Sequence, residues 1–143
     1  MLYFWRKKIL LKLEKIHEDN RGDIYLLKGD LKEHEEISIL TTKKGVARGG
    51  CIHRINDEYN VVLEGEIIYY VGEQEFHMKK GDTVKVPKNT PHYFLSLLDS
   101  IVAEWGATTE EKKDKYAPLR KIVEKINKND FPIIKSTIHQ TKH

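Results

Sequence analysis

Cys51 and His53 stand two positions apart in GVARGGCIH, residues 45–53; Glu58 follows the polar turn RIND, and His92 follows the proline-rich turn PKNTP. Two imidazoles, a carboxylate and a thiol make a sensible ligand set for a transition metal, provided the fold brings their strands together. In a strand, residues i and i+2 share a face, so Cys51 and His53 are expected to project into one cavity. The candidate metal ligands are therefore Cys51, His53, Glu58 and His92. An imidazole or a thiolate can also take a proton from a group within hydrogen-bond reach, so Cys51, His53 and His92 are also the catalytic candidates.

Other residues near these positions suit ligand binding. Arg48 carries a planar fork that grips phosphate at two points; a barrel-rim role, held by Glu66 or Glu58, is the structural alternative. Asn60 shares strand parity with Glu58, and an inward polar residue there suits contact with a ligand, while Val62 on the same face reads as cavity wall. Tyr69 and Tyr70 must point to opposite faces, which leaves open which of them looks inward. Tyr59, Tyr69 and Tyr93 are candidate hydrogen-bond donors, and Tyr69 and Tyr93 are taken as substrate-binding positions. His17, His34, His77, His139 and His143 read as surface or strand residues, with His77 the one whose alternation could turn it inward. RGD at 21–23 is turn chemistry.

The elements that must position these groups are short. From Ile24 to Trp105 the apolar runs IYLL, ISIL, YNVVL, IIYYV, TVKVP, HYFLSL and SIVAEW alternate with turn segments such as KKG, EG, VGE and KKGD. That pattern predicts an all-β jelly-roll or barrel with its core over about 22–106. Residues 7–17 fit either a helix or a strand, and a strand is favoured. After Trp105, Leu119, Ile122, Val123 and Ile126 recur at helical spacing and Pro118 suits a first turn, predicting a helical segment over about 109–128. That helix is expected to serve as a lid or a dimer contact, and 129–143 as a loose tail.

A chain of 143 residues suits one domain. With 25 Lys plus Arg against 22 Asp plus Glu, and no block of one sign, nucleic-acid binding is not indicated. A single cysteine fits a reducing compartment. The N-terminal MLYFWRKKILLKL reverses the order of a signal peptide, and no apolar run reaches the roughly 18 residues of a membrane span. The expectation is a cytoplasmic protein without a membrane partner.

The spacing of the chemical residues resembles the cupin family. The first cupin motif is a glycine, five residues, HxH, three or four residues, a glutamate, six residues and a glycine; here it reads Gly45, five residues, Cys51-Ile52-His53, four residues, Glu58, six residues, Gly65. The second is a glycine, five residues, PxG, two residues, a histidine, three residues and an asparagine; here it reads Gly81, Pro87-Lys88-Asn89, His92 and Ser96 at the same intervals. Cys51, Asn89 and Ser96 depart from the pattern, and Asn89 can keep a left-handed turn. The resemblance implies a jelly roll and carries metal-ligand roles to His53, Glu58 and His92, with Cys51 offering sulfur for imidazole. A thiolate in the set favours zinc and disfavours an oxygenase, whose iron and oxygen would endanger the thiol; Arg48 and a metal would both lower the thiol pKa. The alternative, weighted about equally, is a site that has lost its metal, with Cys51 a small buried apolar residue.

The run HEDNRGDIYLL followed by ARGGCIH is similar to sugar-nucleotide epimerase and ketoisomerase cupins, in which a DxRG segment precedes RGxH. This implies an isomerase- or epimerase-like action on a sugar or sugar nucleotide. The alternatives are a non-catalytic module that binds carbohydrate or metal and, ranked below both, a metal-dependent oxygenase. Exposed barrel edges predict a homodimer by strand exchange or edge pairing.

Overall fold

The computed structural model describes residues 11–29 and 36–128. Expectations for residues 7–10 and for the tail 129–143 lie outside the described residues. Ten strands follow in order: β1 Leu11–Asp19, β2 Gly22–Gly29, β3 Ile37–Thr42, β4 Ala47–Cys51, β5 Glu58–Glu64, β6 Glu66–Val71, β7 Gln74–Lys79, β8 Thr83–Val86, β9 His92–Ser96 and β10 Ser100–Trp105. They form two antiparallel sheets, β1-β2-β3-β10-β5-β8 and β4-β9-β6-β7. The fold is the all-β jelly roll that the strand spacing predicts, with a helix at its C-terminal side.

The ambiguous N-terminal segment is a strand over its described part. β1 pairs with β2 from Leu11–Gly29 to Asp19–Gly22, with an irregularity between Lys15 and His17, so the sheet begins earlier than the expected residue 22. A nearby partner strand decides here what a mixed apolar pattern cannot.

Strand parity sets the interior. Val62, Ile67, Tyr69, Val71, Met78, Val86, Phe94 and Val102 form one buried cluster between the sheets. Fully burying each aliphatic side chain of this kind is worth about 1.5–3 kcal/mol. Tyr69 therefore faces inward, whereas Tyr70 lies on the outer face and stacks on Tyr93 with ring centroids 4.5 Å apart. His77 also faces outward, exposed and paired with Glu66.

Beyond β10 the chain crosses back over one end of the barrel. A 3-10 turn, Glu111–Lys113, precedes helix α1, Ala117–Asn127, which has Pro118 in its first turn. The helix, expected to serve as a lid or a dimer contact, packs on the smaller sheet and lends Arg120 to the cavity wall. Val123 and Ile126 pack on Ala47 and Leu95, on the outer face of the smaller sheet. Asn127 completes that face by bonding both backbone groups of Ala47, accepting from its N–H at 2.7 Å and donating to its carbonyl at 2.9 Å. The close approach needs a glycine at Gly50: its φ is +81°, and a Cβ there would lie 2.8 Å from Arg120 Cδ. Asn89 holds a φ of 64°, the left-handed turn expected of it.

The crossing segment, rather than the helix, covers the barrel mouth. Glu111 anchors it. Its carboxylate accepts from the backbone N–H of Ile55, Asn56 and Thr108 and from the Asn56 amide, at 2.8–3.1 Å. Thr108 Oγ1 accepts in return from the Glu111 N–H at 3.3 Å, a reciprocal cap. Burial alone would raise the Glu111 carboxyl, but the donors of Asn56, Thr108 and Ile55 outweigh it and hold it at about 2.

Candidate metal centre

Three side chains meet at the polar end of the barrel. Ligand atoms of His53, Glu58 and His92 all lie within 4.8 Å of one another, and all three residues are buried. Glu58 opens β5 and His92 opens β9, so adjacent turns, RIND and PKNTP, deliver them to the same end. His53 sits just past β4, where its carbonyl accepts from the Asn89 N–H at 2.6 Å. The left-handed turn at Asn89 thereby ties the second motif to the first.

The donor set fits a metal ion. His53 Nε2 lies 3.3 Å from Glu58 Oε1 but is not aligned for a hydrogen bond, so both buried ring nitrogens of His53 lack a hydrogen-bond partner. Burying polar nitrogens without partners is costly, and coordination is one way to satisfy them. His92 Nδ1 contacts the Thr90 carbonyl at 2.9 Å, leaving Nε2, 3.6 Å from Glu58 Oε2, on the side of the cluster. That is how an outer partner orients a ligating imidazole. Glu58 Oε2 in turn accepts from Asn60 Nδ2 at 3.2 Å and from the Tyr69 hydroxyl at 3.5 Å.

Electrostatics follow from this packing. Burial would raise the Glu58 carboxyl, but His53 and the charges of Lys112 and His92 hold it below the usual carboxylate range. Burial lowers His92. Burial also pulls His53 down, yet the adjoining Glu58 carboxylate reverses the balance and raises it. Tyr69 is pushed well above the ordinary phenol value by burial and by Glu58, so it stays a protonated donor.

Cys51 is not part of the cluster, which corrects the four-ligand set expected from sequence. The β4–β9 ladder slips between Gly49 and Cys51, and β4 ends at Cys51, so simple alternation does not carry through to His53. The thiol lies 3.5 Å from the Lys112 carbonyl and 3.7 Å from Lys115 Nζ. Burial pushes its pKa up, with Lys115 opposing, so the expected lowering by Arg48 is not found. Cys51 nonetheless lines the same cavity as His53, Glu58 and His92.

That cavity, about 310 Å³, also includes Arg48 and Tyr69 in its wall. Arg48 is buried, donating to Thr42 Oγ1 at 2.8 Å and to the Thr41 carbonyl at 3.0 Å rather than to the glutamates expected to hold it at a rim. Burial, assisted by Arg21, pushes its pKa down to about 10. Two expected ligand contacts are corrected. Asn60 stands behind Glu58 and does not line the cavity, and Tyr93 points to the opposite face of β9, against Tyr70.

Lys112 and Glu104 escaped the sequence reading. Lys112 Nζ donates to Glu104 Oε1 at 2.9 Å and to Ser38 Oγ at 3.2 Å, and lies 3.8 Å from Glu58 Oε1. Burial and Glu58 raise the Glu104 carboxyl against the opposing charge of Lys112. Glu104 had a signal: it shares parity with buried Val102 in SIVAEW. Lys112 had none, because a chain crossing has no periodicity to read.

The family model described as Cupin domain matches residues 40–105, from within β3 to the end of β10, and includes all three clustered residues. Residues 40–105 thus carry a cupin domain. No curated protein sequence matches the chain. Among solved structures the chain is similar to the capsular polysaccharide assembling protein CapF of Staphylococcus aureus, with 18% identity and a TM-score of 0.59, covering 71% of this chain and 30% of that one. It is similar to KdgF of Halomonas sp., with 13% identity and a TM-score of 0.58, covering 69% and 88%. It also resembles the Bacillus subtilis oxalate decarboxylase, a protein with Mn(II) centres, with 18% identity and a TM-score of 0.57, covering 66% and 28%. The chain thus spans less than a third of CapF and of the decarboxylase, and at these identities the likeness is one of fold. Among the described residues, no helix is long and apolar enough to cross a membrane.

Proposed function

We propose that this protein binds a first-row divalent metal at His53, Glu58 and His92 and takes an anionic sugar or sugar derivative into the adjoining cavity, in the manner of an isomerase or epimerase. The observation that carries the reading is the buried His53 ring with two unpartnered nitrogens, facing a carboxylate and a second imidazole. Zinc was expected on the strength of a thiolate ligand. Two imidazoles and one carboxylate suit manganese and iron as well, so the proposal extends to first-row divalent ions and the thiolate argument against an oxygenase falls away.

The ligand class follows from the wall. Arg21, Arg48, Lys112, Lys113, Lys115 and Arg120 line the cavity against two carboxylates, Glu58 and Glu104. That excess of positive charge favours an anion, and the printed role of CapF in capsular polysaccharide assembly supports a sugar. A bound metal would supply Lewis-acid polarisation of a ligand carbonyl or hydroxyl. Around it, Arg48 binds the anionic group, Tyr69 steadies Glu58 through its hydroxyl, and the crossing segment excludes water from the mouth.

A non-catalytic binding module is the second reading. It is favoured by the scarcity of a free base: the Cys51 thiol is raised, both imidazoles belong to the cluster, and Glu104 is tied to Lys112. Elemental analysis of chelator-free protein should find near one transition metal per chain, lost in His53→Ala. Absence of metal from the unsubstituted chain would remove the metal reading. Exchange of solvent deuterium into bound sugar phosphates or sugar acids separates catalysis from binding alone. We also retain a homodimer in the proposal, supported by the exposed Leu13 on edge strand β1 and Leu63 on the outer face of β5. A single sedimenting species near 16.8 kDa would reject it.

A further inference from the structure

We infer that Lys112 is a tethered counter-cation that sets how tightly the cluster holds a divalent ion, a role that rests on reading His53, Glu58 and His92 as metal ligands. Its ammonium sits 3.8 Å from Glu58 Oε1, the same oxygen that lies 3.3 Å from His53 Nε2. The other oxygen, Oε2, is engaged by Asn60 and Tyr69 and faces His92 Nε2 at 3.6 Å. Lysine and metal therefore draw on one carboxylate. On the far side the ammonium bonds Glu104 Oε1 at 2.9 Å and Ser38 Oγ at 3.2 Å, so it bridges two acidic groups that would otherwise repel each other inside the barrel.

Charge counting gives the consequence. Glu58 and Glu104 carry two negative charges, and Lys112 leaves a net charge of minus one, to which a divalent ion adds two. A positive charge held within a few ångströms of that ion opposes it, and poor solvent screening at a largely covered site makes the opposition strong. The barrel does not deliver this charge. It comes from the 3-10 turn Glu111–Lys113, which Glu111 pins to the backbone of Ile55 and Asn56, two and three residues beyond the ligand His53. Metal affinity is thus coupled to the seating of the crossing segment.

The test is calorimetric titration of the full chain with Mn²⁺ and with Zn²⁺, comparing the unsubstituted protein, Lys112→Met, Lys112→Arg and Glu104→Gln. Lys112→Met should bind at least about tenfold more tightly, while Lys112→Arg, which keeps the charge, should bind like the unsubstituted chain. Glu104→Gln keeps size and shape but removes a negative charge and leaves the ammonium to Glu58, so it should bind more weakly. A merely structural role would shift Lys112→Met and Glu104→Gln in the same direction. Equal or weaker binding by Lys112→Met overturns the inference while the metal reading stands. If Lys112→Met does not fold, unchanged affinity in Glu104→Gln overturns it instead. Absence of binding in every chain removes the metal reading, and the inference with it.

Discussion

Two neighbouring rows of side chains cross the larger sheet side by side and do opposite work. In one, Ser38, Glu104 and Asn60 stand in register on β3, β10 and β5; in the next, Leu40, Val102 and Val62 do. The strands and the inward face are the same, and all six residues are buried. The apolar row is part of the interior that holds the sheets together. The polar row supports the cluster: Asn60 bonds Glu58, while Glu104 and Ser38 hold Lys112. Strand parity decides whether a side chain faces in, and position along the strand decides whether it serves core or site.

The comparison can be broken from either side. Ile67 is fully buried in the apolar cluster, and Ile67→Ala should cost about 2–5 kcal/mol of stability, read by denaturant unfolding. Metal affinity of the folded fraction should stay unchanged, and a large loss of affinity would show that the two ends are not separable. Asn60→Ala should do the reverse. Removing the amide that orients Glu58 should weaken metal binding by about 10–100-fold in a dialysis assay, with a smaller effect on stability. Stability loss without an affinity change would return Asn60 to the core.

The same division explains what the sequence made legible. Motif spacing located His53, Glu58 and His92 because strand ends and tight turns keep fixed separations, and Asn89 does adopt the left-handed turn that its place in PKNTP required. Alternation made Asn60 and Val62 inward-facing, but it could not say that Asn60 would stand behind Glu58 rather than beside a ligand. It also left Tyr69 and Tyr70 unresolved, since parity needs a known neighbour to fix its sign; Ile67 and Val71, buried on the same face as Tyr69, supply that sign. Lys112 and Glu111 were beyond reach. Their places depend on a segment that returns across the barrel and pairs with residues more than fifty positions away.

That returning segment should respond to acid. The Glu111 carboxyl lies at about 2 in the fold against an ordinary 4.5. A folded value below the unfolded one means stabilisation that is present above about 4.5 and is lost as the pH falls toward 2. Amide hydrogen exchange at Ile55, Asn56 and Thr108, corrected for intrinsic pH dependence, should therefore show protection falling over that window. Glu111→Gln should reduce protection at neutral pH and flatten the acid response. An unchanged acid response in Glu111→Gln would move the clamp elsewhere.

The smallest expected effect separates a three-ligand centre from a four-ligand one. Cys51 occupies the position where the family pattern has a histidine, yet its thiol is turned toward the Lys112 carbonyl and Lys115 Nζ. Serine is smaller and can donate to the same carbonyl, so Cys51→Ser should leave metal stoichiometry and affinity unchanged. Ligand binding should change modestly, because the side chain lines the cavity. A thiolate ligand would behave otherwise: its removal would cost affinity severely and abolish the sulfur-to-metal charge-transfer absorption of a Co²⁺-substituted protein. Unchanged affinity together with absence of that band in the unsubstituted chain assigns Cys51 to the cavity wall. Loss of both would mean that the slip between Gly49 and Cys51 is undone when metal binds, bringing the fourth position of the motif into the site.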